Sequence, residues 1–183
     1  MINIRIQSTP NPRAQKYIVQ ESVKSSSKIS YQEPDECQHV PLAHGLLQIP
    51  GVIQVHLFEN VVTITQNGAR NWQELDQLVE EIIDDLITDH DPDFVEHLNQ
   101  SVTRDQDIPE HVRAIEDILD STIRPSLQMD GGDVEVLDMS GDVVTVRYLG
   151  ACGGCPSAFE GTLYAMQEAI SDGLGKPVEV VAV

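Results

Sequence analysis

Short runs of alternating hydrophobic and polar residues open the chain and predict β-strands. The first run alternates as a half-buried strand does, and residues 16–19 predict a second strand after a proline-rich turn. Residues 52–57 and 61–65 flank three residues and predict a hairpin. The alternating apolar positions of the first run are Ile2, Ile4 and Ile6.

The same part of the chain then changes to helical spacing. Leucines between residues 42 and 49 predict a short helix, and a longer helix follows Asn71, whose side chain can cap it together with Glu74. The apolar positions of the longer helix recur at intervals of three and four: Trp72, Leu75, Leu78, Val79, Ile82, Ile83, Leu86 and Ile87. Strands and helices together predict a compact α+β domain over residues 1–88.

A second set of elements follows residues 89–107, an acidic stretch without periodicity that we interpret as a linker. Residues 108–183 begin with an amphipathic helix ended by Pro125, continue with two strands joined at 140–141, and add a helix ended by Gly173. A last short strand gives the order α-β-β-α-β. The predicted fold class is α+β in two small domains, the second a three-stranded sheet packed by two helices.

Length, composition and charge exclude several classes of function. The 183 residues are 40% hydrophobic, which is enough for two mainly aliphatic cores. No run reaches the ~18 to 20 consecutive apolar residues of a membrane span, and the absence of a targeting segment predicts a cytoplasmic protein. The formal net charge is −19, and Lys and Arg do not cluster along the sequence. Nucleic acid is therefore not an expected partner.

Two of the three cysteines lie three positions apart, in a glycine-rich loop between a predicted strand and the last predicted helix. Cys152 and Cys155 can therefore reach one object, and Pro156 suits the first helical position. The positive end of the helix dipole lowers the pKa of a thiol there and favours binding of a metal or an anion. Three cysteines are too few for a disulfide framework. The pair predicts metal or redox chemistry in a reducing compartment.

Three kinds of chemistry compete for this pair. A dithiol oxidoreductase of the thioredoxin type needs more strands after the motif helix than the remaining chain supplies. An iron–sulfur site needs four thiolates, and a two-fold dimer of such loops would supply them. A structural zinc site also needs four protein ligands. Besides the pair, the candidate zinc ligands are His111 in the second domain and Cys37, His39 and His44 in the first.

At these residues the sequence resembles the Nfu-type iron–sulfur carriers, whose shared module is the NifU C-terminal domain. Residues 108–183 resemble that module through LQMDGGDV at 127–134 and LGACGGCPS at 149–157. Residues 1–88 resemble the accessory N-terminal domain of many Nfu proteins. The segments that carry this second resemblance are TPNP at 9–12, IPGV at 49–52, and VTIT at 62–65 followed by Trp72.

The resemblance implies a 4Fe-4S cluster that bridges a homodimer, held by Cys152 and Cys155 of each subunit. Upstream cluster-assembly proteins would donate the cluster, and apo iron–sulfur proteins would accept it. The resemblance thus implies a scaffold or carrier and not an enzyme. We expect Gly131 and Gly132 to form a tight turn, with capping or turn roles for the flanking aspartates. Cys37, where the family has no ligand, is expected to be a small buried residue.

Overall fold

A computed structural model describes residues 2–95, 109–152 and 159–183 of the chain. It confirms the α+β class, with helices and strands in both halves. The chain divides into two compact units, Met1–His97 and Leu98–Val183. No helix in the described stretches has the length and apolarity needed to cross a bilayer.

The first unit is a five-stranded antiparallel sheet with two helices. The strands lie in the order β1-β2-β5-β4-β3. Their bounds are β1 Arg5–Ser8, β2 Ala14–Ile18, β3 Lys24–Tyr31, β4 Val52–Glu59 and β5 Val61–Gln66, and the helices are α1 Pro41–Leu47 and α2 Trp72–Leu86. The two helices, both strands of the hairpin and the Asn71 cap were expected from the sequence, and the Asn71 side chain accepts a hydrogen bond from the Glu74 backbone at 2.9 Å.

The helices cover one face of this sheet. Tyr17, Leu57 and Ile64 on the strands are fully buried, as are Leu46 on α1 and Leu75 on α2. A fixed contact joins the sheet to the long helix, because the Tyr17 hydroxyl donates a hydrogen bond of 2.6 Å to a carboxylate oxygen of Asp76 on α2. The fully buried positions of each helix thus pack on the sheet.

The strand register places on one face of the sheet three cations that are far apart in the sequence. Lys16 pairs with Thr63, Arg5 pairs with Ile18, and Lys28 pairs with Phe58. These positions alternate with the core positions of their strands, so Arg5, Lys16 and Lys28 share the sheet face opposite the helices. Strands β5 and β4 lie between Lys16 and Lys28, so the three residues share a face without forming a cluster.

Residues 89–95, which were expected to lie in the linker, belong to the first unit. Phe94 is 8% exposed and belongs to the core. The Lys24 ammonium lies 4.4 Å from the centre of the Phe94 ring, and the Ser25 backbone donates to the Pro92 carbonyl at 3.1 Å. The rest of the predicted linker lies outside the described residues.

The second unit has a three-stranded sheet in the order β6-β7-β8. Its elements are α3 Glu110–Thr122, α4 Arg124–Met129, β6 Gly132–Ser140, β7 Val143–Gly150, α5 Phe159–Leu174 and β8 Glu179–Ala182. Strand β7 is antiparallel to β6 and parallel to β8, and α5 makes the crossover between the parallel pair. The buried residues of α3 and α5 join those of the sheet in one core.

Helix α3 ends at Thr122, ahead of Pro125, as expected. Pro125 itself lies in the first turn of the short helix α4, where a missing N–H costs nothing. The helix end expected at Gly173 is wrong. Helix α5 continues through Gly173 to Leu174. A methyl carbon at position 173 would stand 2.5 Å from the Cδ1 of Ile118, so Gly173 allows α5 to approach α3 closely.

Side chains cap backbone groups on both outer edges of this sheet. On β6, the Val134 carbonyl accepts from Arg124 at 3.0 Å, and the Val136 N–H donates to Glu116 at 2.9 Å. At the other edge, the N–H groups of Val180 on β8 and of Val178 just before it donate to side-chain oxygens of α5. Capped edges oppose the pairing of this sheet with a strand from another molecule.

Candidate functional site

The first cysteine of the pair follows strand β7 directly. Gly150 ends the strand with φ at 58°, and the Ala151 N–H then donates a hydrogen bond of 3.0 Å to the Gly131 carbonyl. Cys152 comes next, is 5% exposed and belongs to the core of the second unit. The second cysteine, Cys155, lies outside the described residues, which resume at Phe159 with helix α5.

A glycine forms the surface on which Cys152 rests. A methyl carbon at position 132 would stand 2.2 Å from the Cys152 Sγ and 2.8 Å from its backbone nitrogen. Gly132 thus contacts the cysteine loop, and any side chain there would occupy the space of the thiol. The neighbouring Gly131 has φ at 78° and makes the expected tight turn before β6.

The strand that begins at Gly132 is anchored by a buried ion pair. Asp133 is fully buried, and its Oδ1 accepts from the Arg124 Nε at 3.1 Å and from the Val134 N–H at 2.6 Å. Its other oxygen accepts from the Gln128 amide at 3.0 Å. Asp133 is therefore more than a turn residue, since it joins α4 to the strand that supports Cys152.

Arg124 is the centre of this network. It is 5% exposed and also contacts the carboxylates of Glu116 and Asp120. Burial alone would lower the pKa of Arg124, but the surrounding carboxylates, led by Glu116, raise it above its ordinary value. The guanidinium is therefore charged, and its fork-shaped donor set satisfies a buried carboxylate and an edge carbonyl together.

Replacing Arg124 with methionine is expected to lower the free energy of unfolding of the apo-protein by about 3–5 kcal/mol, because it leaves the buried Asp133 charge unpaired. Urea unfolding followed by circular dichroism measures this change. Arg147→Met is the matched control, since Arg147 is 49% exposed and its pair with Glu135 spans 3.7 Å. That substitution should cost at most about 1 kcal/mol. Equal losses in the two variants would contradict a special role for Arg124.

Tyr148 lies on β7 beside the cysteine. Its side chain is buried, and it faces Val134 across the sheet. Burial, followed by repulsion from the charge of Cys152, raises the pKa of Tyr148 to about 12, and the Thr162 hydroxyl opposes this rise. The phenol is therefore uncharged at neutral pH and adds no negative charge to the site.

Two of the three candidate zinc ligands of the first unit approach the same backbone carbonyl, and the third makes other contacts. The Cys37 thiol donates to the Pro34 carbonyl at 3.5 Å, and the His44 Nδ1 lies 3.0 Å from the same oxygen. His39 instead makes edge contacts with the rings of Tyr31 and Phe94. Across 2–95, 109–152 and 159–183 no three His, Cys, Asp or Glu side chains form a metal-binding group. Cys37 is fully buried, as expected.

Two family models match the chain, in the order that the sequence motifs indicated. The model described as "Scaffold protein Nfu/NifU N terminal" matches residues 4–90, and the model described as "NifU-like domain" matches residues 115–181. The second match contains both the glycine turn and the cysteine loop. The two matches together account for both compact units.

Curated relatives agree with these matches. NifU-like protein 5 of Arabidopsis thaliana, a mitochondrial protein, is 30% identical over 85% of this chain and 58% of its own length. The human mitochondrial NFU1 iron-sulfur cluster scaffold homolog is 30% identical over 85% of this chain and 61% of its own length. The chain thus spans less than two thirds of the curated relatives it matches.

These names overturn the expected cytoplasmic location, because the relatives are mitochondrial proteins. The expectation rested on the lack of a targeting segment in a stretch that covers only part of the relatives' length, and such a lack carries no information.

Among solved structures, a solution NMR structure of a NifU-like protein from Saccharomyces cerevisiae is 23% identical. It covers 54% of this chain and 87% of its own, with a TM-score of 0.47. The family assignment rests instead on the two family models and the curated relatives, which agree on both halves of the chain. The chain belongs to the NifU-like family, with an Nfu N-terminal domain ahead of its NifU-like domain.

Proposed function

We propose that this protein is an iron–sulfur cluster scaffold and carrier. In this proposal Cys152 and Cys155 from each of two subunits hold one 4Fe-4S cluster, which is cargo and not a resident cofactor. The observation that carries the proposal is the position of Cys152. It directly follows strand β7 and rests against the turn formed by Gly131 and Gly132. Relatives named as iron–sulfur cluster scaffolds support the same function.

The number of available ligands favours a shared site. A 4Fe-4S cluster takes four thiolates, and the second unit contains two cysteines. The third cysteine of the chain, Cys37, is buried in the first unit with a pKa raised to about 11 by burial and by Glu36. It is therefore a protonated thiol at neutral pH and a poor ligand. Two copies of one loop supply the four thiolates with a single symmetric contact.

The capped sheet edges bear on how two subunits would meet. Because side chains occupy backbone groups on the outer edges of β6 and β8, strand pairing between subunits is opposed. The remaining contact in this proposal is through the cysteine loops and the cluster itself. We therefore expect dimerisation to require the cluster, so that chelation of the iron returns the protein to the monomer.

Cluster binding requires one local movement. The Cys152 Sγ rests against Gly132 and is nearly inaccessible, whereas a ligand to a shared cluster must point out of its own subunit. We expect the Cys152 side chain to rotate about its Cα–Cβ bond when a cluster binds, a movement that would leave the backbone hydrogen bonds of the strand end in place. In the proposed transfer, an incoming acceptor thiolate replaces one cysteine at a time, and no covalent substrate is turned over.

The order of elements bears on the alternatives. Only one strand, β8, follows α5, and it is parallel to β7. A thioredoxin-like dithiol oxidoreductase would have further strands after the motif helix, whereas residues 159–183 form this one strand. A structural zinc module would need two more ligands than the pair provides.

Anaerobic reconstitution of the full chain with iron, sulfide and a thiol reductant tests the proposal. We expect a brown protein with about four iron and about four sulfide ions per two chains. Size-exclusion chromatography should report a dimer when the cluster is bound and a monomer after chelation. Iron and sulfide analysis alongside the visible spectrum gives the stoichiometry.

Three results would each point elsewhere. A colourless monomer with one zinc ion per chain would favour the structural zinc module. A colourless protein that reduces disulfides catalytically would favour the oxidoreductase. A brown monomer with a full cluster per chain would retain the iron–sulfur chemistry but exclude the shared site.

A further inference from the structure

An apolar groove lies between the two helices of the first unit, away from the cysteine loop in the sequence. Its volume is about 370 Å³. Its walls come from the C-terminal half of α2 and from the end of α1 with the turn that follows. The lining residues are Gly45, Gln48, Ile49, Pro50, Leu78, Glu81, Ile82, Asp85 and Leu86.

The floor of the groove is aliphatic. Leu78, Ile82 and Leu86 recur at intervals of four on α2 and are only partly buried by the unit's own core. At Gly45 the two helices come close, since a methyl carbon there would stand 3.3 Å from both Ile82 and Leu86. Because Gly45 has no side chain, it does not cover the aliphatic residues of α2, and they remain accessible in the groove.

The rim of the groove is acidic. Glu81 and Asp85 are exposed, lie four positions apart on α2 and border the groove together. Like charges at this spacing repel each other and weaken a helix. Helix α2 carries six acidic residues and no basic residue. Two of them are used internally, since Asp76 accepts from Tyr17 and Asp84 accepts from the Ile2 backbone. Within the described part of the chain no cation pairs with Glu81 or Asp85.

We propose that this groove docks an amphipathic helix of a partner protein that carries Lys or Arg beside its apolar stripe. Apolar side chains of that helix, spaced by three and four, would cover Leu78 and Ile82, as in helix-in-groove recognition. Its cations would relieve the repulsion between Glu81 and Asp85. The partner is thus defined by two complementary features, an apolar stripe and flanking positive charge.

Two other occupants fit the groove less well. A second copy of this chain carries a net charge of −19, and its own α2 would bring more carboxylates to an acidic rim. A small molecule would need polar groups that converge to orient it, whereas the charged groups here stand along one side of an open groove. This docking site goes beyond the proposed cluster function and does not depend on it, because every residue involved is in the first unit.

The probe for the test is a fluorescein-labelled synthetic helix of about 18 residues with leucines on one stripe and lysines on either side. Its anisotropy is measured with the full apo-chain at ~0.05 and ~0.3 M salt. The reference probes are the same peptide with glutamates in place of the lysines and a scrambled peptide of equal composition. We expect the lysine peptide to bind, and we expect its affinity to fall at the higher salt concentration. Its affinity should also exceed that of both reference peptides.

Variants assign the binding to the groove. Two variants are made: the rim variant, Glu81→Lys with Asp85→Lys, and the floor variant, Leu78→Gln. Each should weaken binding by about tenfold or more, the change expected when one favourable contact is lost. The matched control, Glu21→Lys with Asp35→Lys, makes the same charge change at two exposed positions outside the groove and should leave binding within about twofold. If Leu78→Gln loses its helical signal, the rim variant alone decides the outcome.

Several results would overturn the proposal. They are unchanged affinity in the rim variant, equal binding of the glutamate peptide, or equal loss in the rim and control variants, which would indicate general charge attraction. Concentration-dependent self-association that the rim variant abolishes would assign the groove to a second copy of the chain. None of these results depends on whether the cysteine loop binds a cluster.

Discussion

Replacing Cys152 with alanine is expected to abolish the binding of iron and sulfide, and replacing Cys155 should do the same. In a two-fold site each substitution removes two of four thiolates at once, because both subunits carry it. Loss should therefore be complete and not partial. Iron and sulfide content after anaerobic reconstitution, together with the visible spectrum, measures the effect.

The matched control for these substitutions is Cys37→Ala. Cys37 has no exposed surface, and its pKa is raised to about 11, first by burial and then by Glu36. Its thiol already donates to the Pro34 carbonyl. We expect Cys37→Ala to keep a full complement of iron while losing about 1 kcal/mol of unfolding free energy from the small cavity. Normal iron content in the Cys152 variant, or iron loss in the Cys37 variant, would contradict the assignment of the ligands.

Replacing Gly132 with alanine is expected to damage both the fold of the second unit and the cysteine site. The added methyl carbon would stand 2.2 Å from the Cys152 Sγ, 2.9 Å from its Cβ and 2.8 Å from its backbone nitrogen. Rotation of the thiol removes only the first of these clashes. The backbone of the loop must therefore shift, at a cost of about 1–3 kcal/mol or more in unfolding free energy. Urea unfolding of the apo-protein and iron content after reconstitution measure the two effects.

Gly161→Ala is the matched control for this substitution. Gly161 lies exposed in helix α5, and among the described residues no atom beyond its chain neighbours and its own helix backbone stands within 4 Å of where its methyl carbon would be. An alanine in a helix interior is worth about 1 kcal/mol over glycine, so this variant should be more stable than the wild type. The same substitution is thus expected to lower the unfolding free energy at Gly132 and to raise it at Gly161. A destabilised Gly132→Ala protein that still loads fully would mean that Gly132 serves packing alone.

Hydrophobic spacing was sufficient to predict the regular, half-buried elements. The helix over Trp72–Leu86 and the hairpin of β4 and β5 each bury one face. Burial of one face makes apolar residues recur at a regular interval along the sequence. Strand β3 was missed because Lys24–Ser27 is polar, and only Ile29 and Tyr31 near its end reach the core. Edge strands such as β3 pair on one side and need little hydrophobic sequence.

Roles that depend on contact between distant residues were not predictable in this way. Arg124 is one of four basic residues in residues 108–183, and nothing in its sequence neighbourhood distinguishes it from Arg147. Only the fold places Glu116, Asp133 and an edge carbonyl around it. Gly173 resembled a helix end by its residue type, but it is a contact glycine because α3 crosses α5 at that point.

The sequence by itself determined the α+β class and the pair of cysteines before the last helix, and it predicted two domains. Periodicity, composition and short spacings are properties of neighbouring residues, and these features depend on nothing else. Tertiary structure decided that Gly132 supports Cys152, that Arg124 anchors Asp133, and that an acid-rimmed groove opens between α1 and α2. Each of these joins residues from different elements, so a distance between them exists only once the chain has packed.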